Sequence, residues 1–152
     1  MNWRGNASPP VPAGAIVVTG SGELKKTNGV KKIFHAAVVT GQVGIGYTPI
    51  ADVGKCVRNA LNKADKFRTL KSILFPLLGT GTARANVRDN ARQLIGEAIG
   101  HLRTHDACPI QRICFLAWSE AHLEVCRDIL DRSGDVTFAG NTDLSEVKRA
   151  AR

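Results

Sequence analysis

The stretch FPLLGTGTARANVRDNA, residues 75–91, combines the residue types that bind phosphate groups. Gly79 and Gly81 follow an apolar run and precede a sequence with helical periodicity, and Thr80 and Thr82 offer hydroxyl donors. Glycine lets the backbone turn sharply, so that consecutive N–H groups converge on one anion, and the positive end of the following helix adds to that attraction. The segment predicts an anion-binding loop or a plain strand-to-helix turn, and local chemistry alone puts the turn slightly ahead.

No further motif assigns a reaction to this loop. The residues match neither GxxxxGK[ST] nor GxGxxG, so a triphosphate P-loop or a Rossmann fingerprint is not indicated. Arg84 and Arg88 stand where they could supply charge to a phosphate. Neither a nucleophile with its base nor a pair of carboxylates lies near the loop, and the lone His35 is interpreted as a structural core histidine. The catalytic residues therefore stay unassigned.

An alternation of strands and helices must position the loop. Predicted strands are AIVV (15–18), 32–39, SILFPLL (72–78) and RICFLAW (112–118), and predicted helices cover 52–67, a segment from Val87 capped by Asn86, and a segment capped by Ser119. Residues 40–50 are predicted to form a glycine-rich loop. This order predicts a three-layer α/β/α sandwich with a mixed, mostly parallel sheet. Ligands of such sheets lie beyond the carboxyl ends of the strands, at the loops after Val39, Leu78 and Trp118.

Length and composition predict one soluble domain. The chain has 152 residues, of which 43% are hydrophobic and 22% charged, and no apolar run is long enough to cross a bilayer. We expect an irregular lead-in over 1–14, the α/β domain over 15–140 and a polar basic tail over 141–152. The start lacks the layout of a signal peptide, so we expect a cytoplasmic protein without a membrane partner.

The formal net charge of +8 predicts anionic partners. Nucleic acid, a nucleotide and an acidic protein all satisfy this expectation. Aromatic residues make up only 5% of the chain, which leaves little material for the stacking platforms of single-strand binders. A basic, non-catalytic domain that binds nucleic acid or protein remains an alternative.

The cysteine pattern favours buried free thiols. The four cysteines are Cys56, Cys108, Cys114 and Cys126. They form no CxxC pair, and three of them fall on apolar faces of predicted elements. The alternative is a zinc site formed by His101, His105, Cys108 and Cys114, which is disfavoured because Cys114 lies inside a strand-like run. We expect no metal and no cofactor.

Five segments together resemble the macro domain family, whose members bind ADP-ribose. PAGAIVVTGSGEL followed by VKKIFHAAVV is similar to the family's segment of a strand, a glycine turn and I-x-H-A. LKSILFPLLGTGTA resembles its S-I-x-F-P-x-x-G-T-G strand and loop, which is the most specific piece. The helix ADVGKCVRNALNKAD, the helix VRDNARQLIGEAIGHL and the segment RICFLAWSEAHLEVCRDIL continue the likeness, which spans about residues 12–131.

The resemblance implies a set of ligand-binding residues. These are Gly79, Thr80, Gly81, Thr82, Ala83, Arg84 and Trp118. The first four match the loop that wraps the diphosphate and the distal ribose, while Ala83 and Arg84 stand where many relatives have a bulky residue and a glycine. Trp118 matches the aromatic that packs on the adenine; the residues alone equally allow Trp118 to cover the edge of the core.

The family's opening segment, with its acidic and asparagine-rich motifs, is not recognisable in MNWRGNASPPVPAG. The resemblance therefore implies a macro domain truncated at the N-terminus. Binding of ADP-ribose or of an ADP-ribosylated protein is favoured, and hydrolysis of ADP-ribosyl or O-acyl-ADP-ribose substrates is the alternative. A sheet without its opening strands leaves apolar surface uncovered, so we expect self-association.

Overall fold

The computed structural model of the chain describes residues 11–42, 44–81 and 86–136. The elements are β1 (Ile16–Gly20), α1 (Leu24–Asn28), β2 (Lys32–Ala36), β3 (Val39–Gln42), β4 (Gly46–Pro49), α2 (Gly54–Ala64), β5 (Ser72–Pro76), α3 (Val87–Thr104), β6 (Arg112–Leu116) and α4 (Glu120–Asp131). The predicted α/β class is confirmed. The long helices and the strands at 72 and 112 lie where the sequence predicts them.

Capping side chains determine where two of the helices begin. The Asn86 side chain accepts a hydrogen bond from the Asp89 N–H at 3.1 Å, and the Ser119 hydroxyl accepts one from the His122 N–H at 3.3 Å. Each bond satisfies an amide that has no partner inside its helix. Both predicted caps are confirmed.

The described strands pair in three separate couples. β1 pairs with β2 and β3 with β4, both antiparallel, whereas β5 and β6 are parallel. The pairing is mixed as predicted, but two of the three couples are antiparallel where mostly parallel pairing is expected. The link from β1 to β2 holds only the five-residue α1, which is short for a parallel crossover. Strongly apolar strands therefore misled the prediction of pairing direction.

Val39–Gln42 and Gly46–Pro49 pair as antiparallel strands, so the prediction of a glycine-rich loop over 40–50 is wrong. In the β3–β4 register, Gly41 lies opposite Tyr47 and Gln42 opposite Gly46. Gly41 has a φ of 146°, and a Cβ there would run into the backbone of the facing strand. Glycine here permits a close approach of two strands instead of breaking the strand pattern.

The core lies between the helices and one face of the strands. Its fully buried side chains come mainly from α2 and α3, and Phe75 of β5 joins them. The other strand face is open: Val17 is 55%, Leu74 60% and Leu116 38% exposed. Within the described ranges, no helix covers the strand face at these three positions.

His35 lies on the open face. It is exposed, and its Nε2 is 2.9 Å from the Thr19 hydroxyl oxygen of the neighbouring strand. The interpretation of His35 as a core histidine is therefore wrong, because the alternation of β2 turns this side chain away from the helices.

The predicted domain limits at 14 and 140 stay a prediction. Residues 1–10 and 137–152 lie outside the described part of the chain. The whole predicted tail over 141–152 is among these undescribed residues. Among the helices that are described, none is both long and apolar enough to cross a membrane.

An ion pair that joins α2 to α3 predicts a pH-dependent contribution to stability. The Arg58 guanidinium donates to both carboxylate oxygens of Glu97, with Nε to Oε2 at 2.8 Å, and this hydrogen bonding lowers the pKa of Glu97 from its ordinary 4.5. The folded state therefore holds this proton less tightly than the unfolded chain does. The stabilisation is present above that ordinary value and is lost as pH falls through the lowered folded pKa.

We expect Glu97→Gln to reduce the free energy of unfolding at neutral pH by no more than about 1 kcal/mol, because the pair is partly solvated. As pH falls below the ordinary value of 4.5, the difference between the two proteins should shrink, because the wild-type carboxyl gains its proton. Urea unfolding at neutral pH and at an acidic pH where both proteins still fold checks this expectation. An equal difference at both would contradict the assignment to this ion pair.

Candidate functional site

The loop after β5 is held against the first turns of α3 by one buried amide. The Asn90 Nδ2 donates to the Leu78 carbonyl at 2.9 Å. Gly79, the next residue, has a φ of 78°, and a Cβ there would lie only 2.7 Å from the Asn90 Nδ2. The left-handed backbone and the lack of space both require glycine at this position. The start of the loop is therefore fixed before any ligand binds.

The Thr80 hydroxyl closes the turn by a hydrogen bond within the loop and is not available as a donor to a ligand. Its hydroxyl donates to the Leu77 carbonyl at 2.7 Å, and its N–H points to the same oxygen at 3.4 Å. The expectation that the Thr80 hydroxyl donates to a ligand is not met in this arrangement. Gly81, by contrast, is exposed and has open space around its Cα. Gly81 is therefore the position from which the loop faces solvent.

Three of the predicted site residues, Thr82, Ala83 and Arg84, lie outside the described residues. Beyond them, Asn86 begins α3. The helix N-terminus follows the glycine turn within a few residues of the sequence.

The N-terminus of α2 is already occupied by protein groups. The Val53 N–H donates to the Gln93 Oε1 at 3.0 Å, and the Lys55 N–H donates to the Asp52 Oδ1 at 3.0 Å. These side chains satisfy amides that a helix start would otherwise offer to an anion. At the start of α3 the Asn86 side chain engages one amide, whereas two amides are engaged at the start of α2. By this comparison α3 is the better candidate for a phosphate.

Arg88 is turned away from the loop. Its guanidinium pairs with Asp128 of α4, and this hydrogen bond, more than the charge of Arg132, lowers the pKa of Asp128. Arg92 pairs with Asp89 at 3.5 Å. The expectation that Arg88 supplies charge to the loop is therefore wrong, because its charge is engaged between α3 and α4.

A groove of about 360 Å³ between α3 and α4 lies apart from the glycine loop. It is lined by Arg88, Arg92, Ile95, Gly96, Ile99, Gly100, Arg103, Asp128, Ile129, Arg132, Ser133 and Asp135. Asp128 and Asp135 pair with its arginines, including Arg132 at 2.6 Å and Arg103 at 3.1 Å. These internal pairs weaken the case for an anion site in the groove.

Trp118 lies at the same end of the strands as the glycine loop. In the parallel β5–β6 register Pro76 lies opposite Leu116, so Trp118 and Leu78 both follow the paired region by two residues. The Trp118 side chain is 75% exposed. The ring therefore does not cover the core edge, and it stands open beside the loop.

The cysteines are all free, and Cys56 and Cys126 are buried, as the sequence predicts. Burial raises the pKa of the Cys56 and Cys126 thiols, which suits inert core residues. Of the four predicted zinc candidates, the structure brings His101 and Cys108 together and adds Asp65, while Cys114 lies apart within β6. Asp65 is not predictable as a ligand from the sequence, because no local pattern links it to residues so far along the chain.

Comparison with known proteins agrees with the fold. The sequence profile of the family described as Macro domain matches residues 4–94. The chain belongs to the macro domain family. The matched region of this macro domain includes β1 to β5, the glycine loop and the first half of α3.

Solved structures of another macro domain share the fold. A variant of the Oceanobacillus iheyensis macrodomain with ADPR superposes with a TM-score of 0.62 at 21% identity, covering 80% of this chain and 60% of that chain. The same macrodomain with ADP gives a TM-score of 0.62 at 22% identity, covering 80% and 59%. This macro domain therefore spans about 60% of the length of these structural neighbours. A comparison with curated proteins finds no match.

Proposed function

We propose that this macro domain binds ADP-ribose or a related nucleotide diphosphate at the loop after β5. The observation that carries the proposal is the fixed glycine turn, in which Asn90 holds the Leu78 carbonyl at 2.9 Å and leaves Gly81 facing solvent. A loop that is ordered in advance loses little conformational entropy when a ligand binds. The solved Oceanobacillus iheyensis macrodomain structures with ADPR and with ADP support the choice of ligand.

In this proposal the diphosphate accepts hydrogen bonds from backbone N–H groups from Gly81 onward. Thr82, Ala83 and Arg84 complete the loop, and the start of α3 adds its dipole to the attraction. Gly79 and Thr80 act indirectly, because they set the turn that presents Gly81. The exposed Trp118 ring offers a face on which the adenine stacks.

Calorimetric titration of the full chain with ADP-ribose tests the proposal. We expect saturable binding at one site per chain, with adenosine binding more weakly than ADP-ribose or ADP, because adenosine lacks the diphosphate on which the loop acts. The absence of heat at millimolar ADP-ribose would overturn the proposal. Binding that is insensitive to removal of the diphosphate would exclude the loop as its site.

Two further assays separate the alternatives from different classes. Release of ADP-ribose from an ADP-ribosylated protein would make the chain a hydrolase of the same fold. Affinity for nucleic acid that falls steeply with salt and ignores added ADP-ribose would favour the basic interaction domain.

Light scattering at micromolar concentration tests the expected self-association, which a monomeric mass would contradict.

Trp118→Ala should weaken ADP-ribose binding by about 5- to 150-fold, since stacking of a base on an aromatic ring contributes about 1 to 3 kcal/mol. The melting temperature should not change, because the side chain is 75% exposed. Calorimetry and thermal unfolding measure the two effects. In a Trp3→Phe background, ADP-ribose should also change the fluorescence of Trp118. Full affinity in Trp118→Ala would exclude the stacking role.

A further inference from the structure

Three side chains that commonly bind metals meet at the amino ends of β5 and β6. Asp65 directly follows α2, His101 lies in the last turn of α3, and Cys108 lies in the connection from α3 to β6. Their ligand atoms all lie within 4.8 Å of one another. The glycine loop follows the other ends of these strands, so this cluster is separate from the ADP-ribose site proposed above.

The distances within the cluster are those of ligands around one zinc ion. The Cys108 Sγ lies 3.7 Å from the His101 Nε2 and 3.0 Å from the Asp65 Oδ1, and the His101 Nε2 lies 3.1 Å from the Asp65 Oδ2. Zinc bonds of about 2.0 to 2.3 Å at tetrahedral angles place neighbouring ligand atoms about 3.3 to 3.5 Å apart. Shifts of about half an ångström per pair would therefore complete the geometry.

We propose that Asp65, His101 and Cys108 bind a zinc ion. One sulfur, one nitrogen and one oxygen form a ligand set that zinc accepts and that the oxygen-seeking Mg²⁺ and Ca²⁺ do not. An ionised Cys108 and Asp65 balance the two charges of the ion, and the neutral imidazole adds none. Three protein ligands leave the fourth tetrahedral position to water.

The same groups satisfy one another when no ion is bound. The Cys108 thiol donates to the Asp65 carboxylate, and the His101 ring shares its Nε2 proton with the other carboxylate oxygen. Zinc binding forms the Zn–S, Zn–N and Zn–O bonds and breaks these two hydrogen bonds. The thiol proton leaves to solvent. The imidazole loses its Nε2 proton and gains one on Nδ1, so that the ring stays neutral while Nε2 binds the ion. The cluster is thus already assembled for the ion to enter.

His105 supports the cluster without joining it. Its ring stacks on His101 with centroids 4.0 Å apart, and its Nδ1 lies 3.1 Å from the His101 carbonyl oxygen. This stacking holds the His101 ring, whose side chain is only 3% exposed, in the orientation that presents Nε2. Bound zinc would tie the end of α2 to the end of α3 and to the connection that leads into β6.

Titration of the chelator-stripped and dialysed full chain with cobalt(II) tests the proposal, because tetrahedral cobalt with a thiolate ligand absorbs in the visible and in a sulfur charge-transfer band. We expect one cobalt per chain, displacement of cobalt by zinc, and a rise in melting temperature with zinc. No charge-transfer band, or no binding at one metal per chain, would overturn the proposal.

Matched cysteine variants locate the site. Cys108→Ser should remove the charge-transfer band and weaken zinc binding at least tenfold, whereas Cys114→Ser should keep both the band and the stoichiometry. If Cys108→Ser fails to fold, the near-isosteric Asp65→Asn should still weaken zinc binding at least tenfold. Equal loss in Cys108→Ser and Cys114→Ser, or full affinity in a folded Cys108→Ser or Asp65→Asn, would contradict the assignment.

Discussion

Glutamate in place of Gly81 should abolish ADP-ribose binding and leave the fold intact. Gly81 is exposed, and a side chain there meets open space, so the substitution should not disturb packing. The new carboxylate would lie beside the negatively charged diphosphate. Two like charges about 4 Å apart repel by about 1 kcal/mol in water and several times more at a partly desolvated site. We therefore expect the affinity to fall at least tenfold, so that calorimetry detects no binding of ADP-ribose.

Gly96→Glu is the matched control for this variant. Gly96 is an exposed glycine of α3 that also has open space around its Cα, so the same charge enters the same protein away from the loop. It should bind ADP-ribose as the wild type does. If both variants lose binding equally, the cause is the net charge of the protein, and the loop loses its assigned role. Full binding by Gly81→Glu would place the ligand elsewhere.

Alanine in place of Gly79 should reduce the free energy of unfolding more than alanine in place of Gly81. The residue has a φ of 78°, a conformation that costs an L-residue about 1 to 2 kcal/mol. The new methyl group would also displace the Asn90 amide from the Leu78 carbonyl, and loss of that hydrogen bond costs about 0.5 to 1.5 kcal/mol. We expect the free energy of unfolding to fall by about 2 to 3 kcal/mol in urea titrations.

Two glycines separate the causes of that effect. Gly81→Ala adds the same methyl group two residues away, where there is space and φ is not positive, and should change stability by less than about 0.5 kcal/mol. Gly134 has a φ of 64° but open surroundings, so Gly134→Ala should show the backbone cost alone. If Gly79→Ala loses no more stability than Gly134→Ala, the contact with Asn90 contributes nothing.

Local signals explain how much of the fold the sequence predicts. The spacing of apolar residues locates α2 and α3, and short polar side chains at Asn86 and Ser119 mark where helices begin. These features depend on neighbours three or four residues away, so they can be read without knowing the fold. The β3–β4 hairpin was missed because its glycines hide the strand pattern.

The site depends on contacts that no local pattern encodes. The sequence points to Gly79 and Gly81, but the bond from Asn90 to Leu78 joins residues whose meeting depends on how α3 packs against β5. The pairing of Arg88 with Asp128, 40 residues on, depends likewise on the packing of α3 against α4. The approach of Asp65 to His101 and Cys108 likewise depends on packing between elements that are distant in the sequence.

The Asn90 amide is both a core residue of α3 and the anchor of the glycine turn. Opening of that turn therefore leaves a buried amide and a carbonyl without partners, and the cost falls on the helix as well as on the loop. A ligand that holds the turn closed opposes the same event from outside. If the proposed ligand binds there, its occupancy and the local unfolding of α3 are thermodynamically linked, and binding energy at the loop protects the helix that Asn90 belongs to.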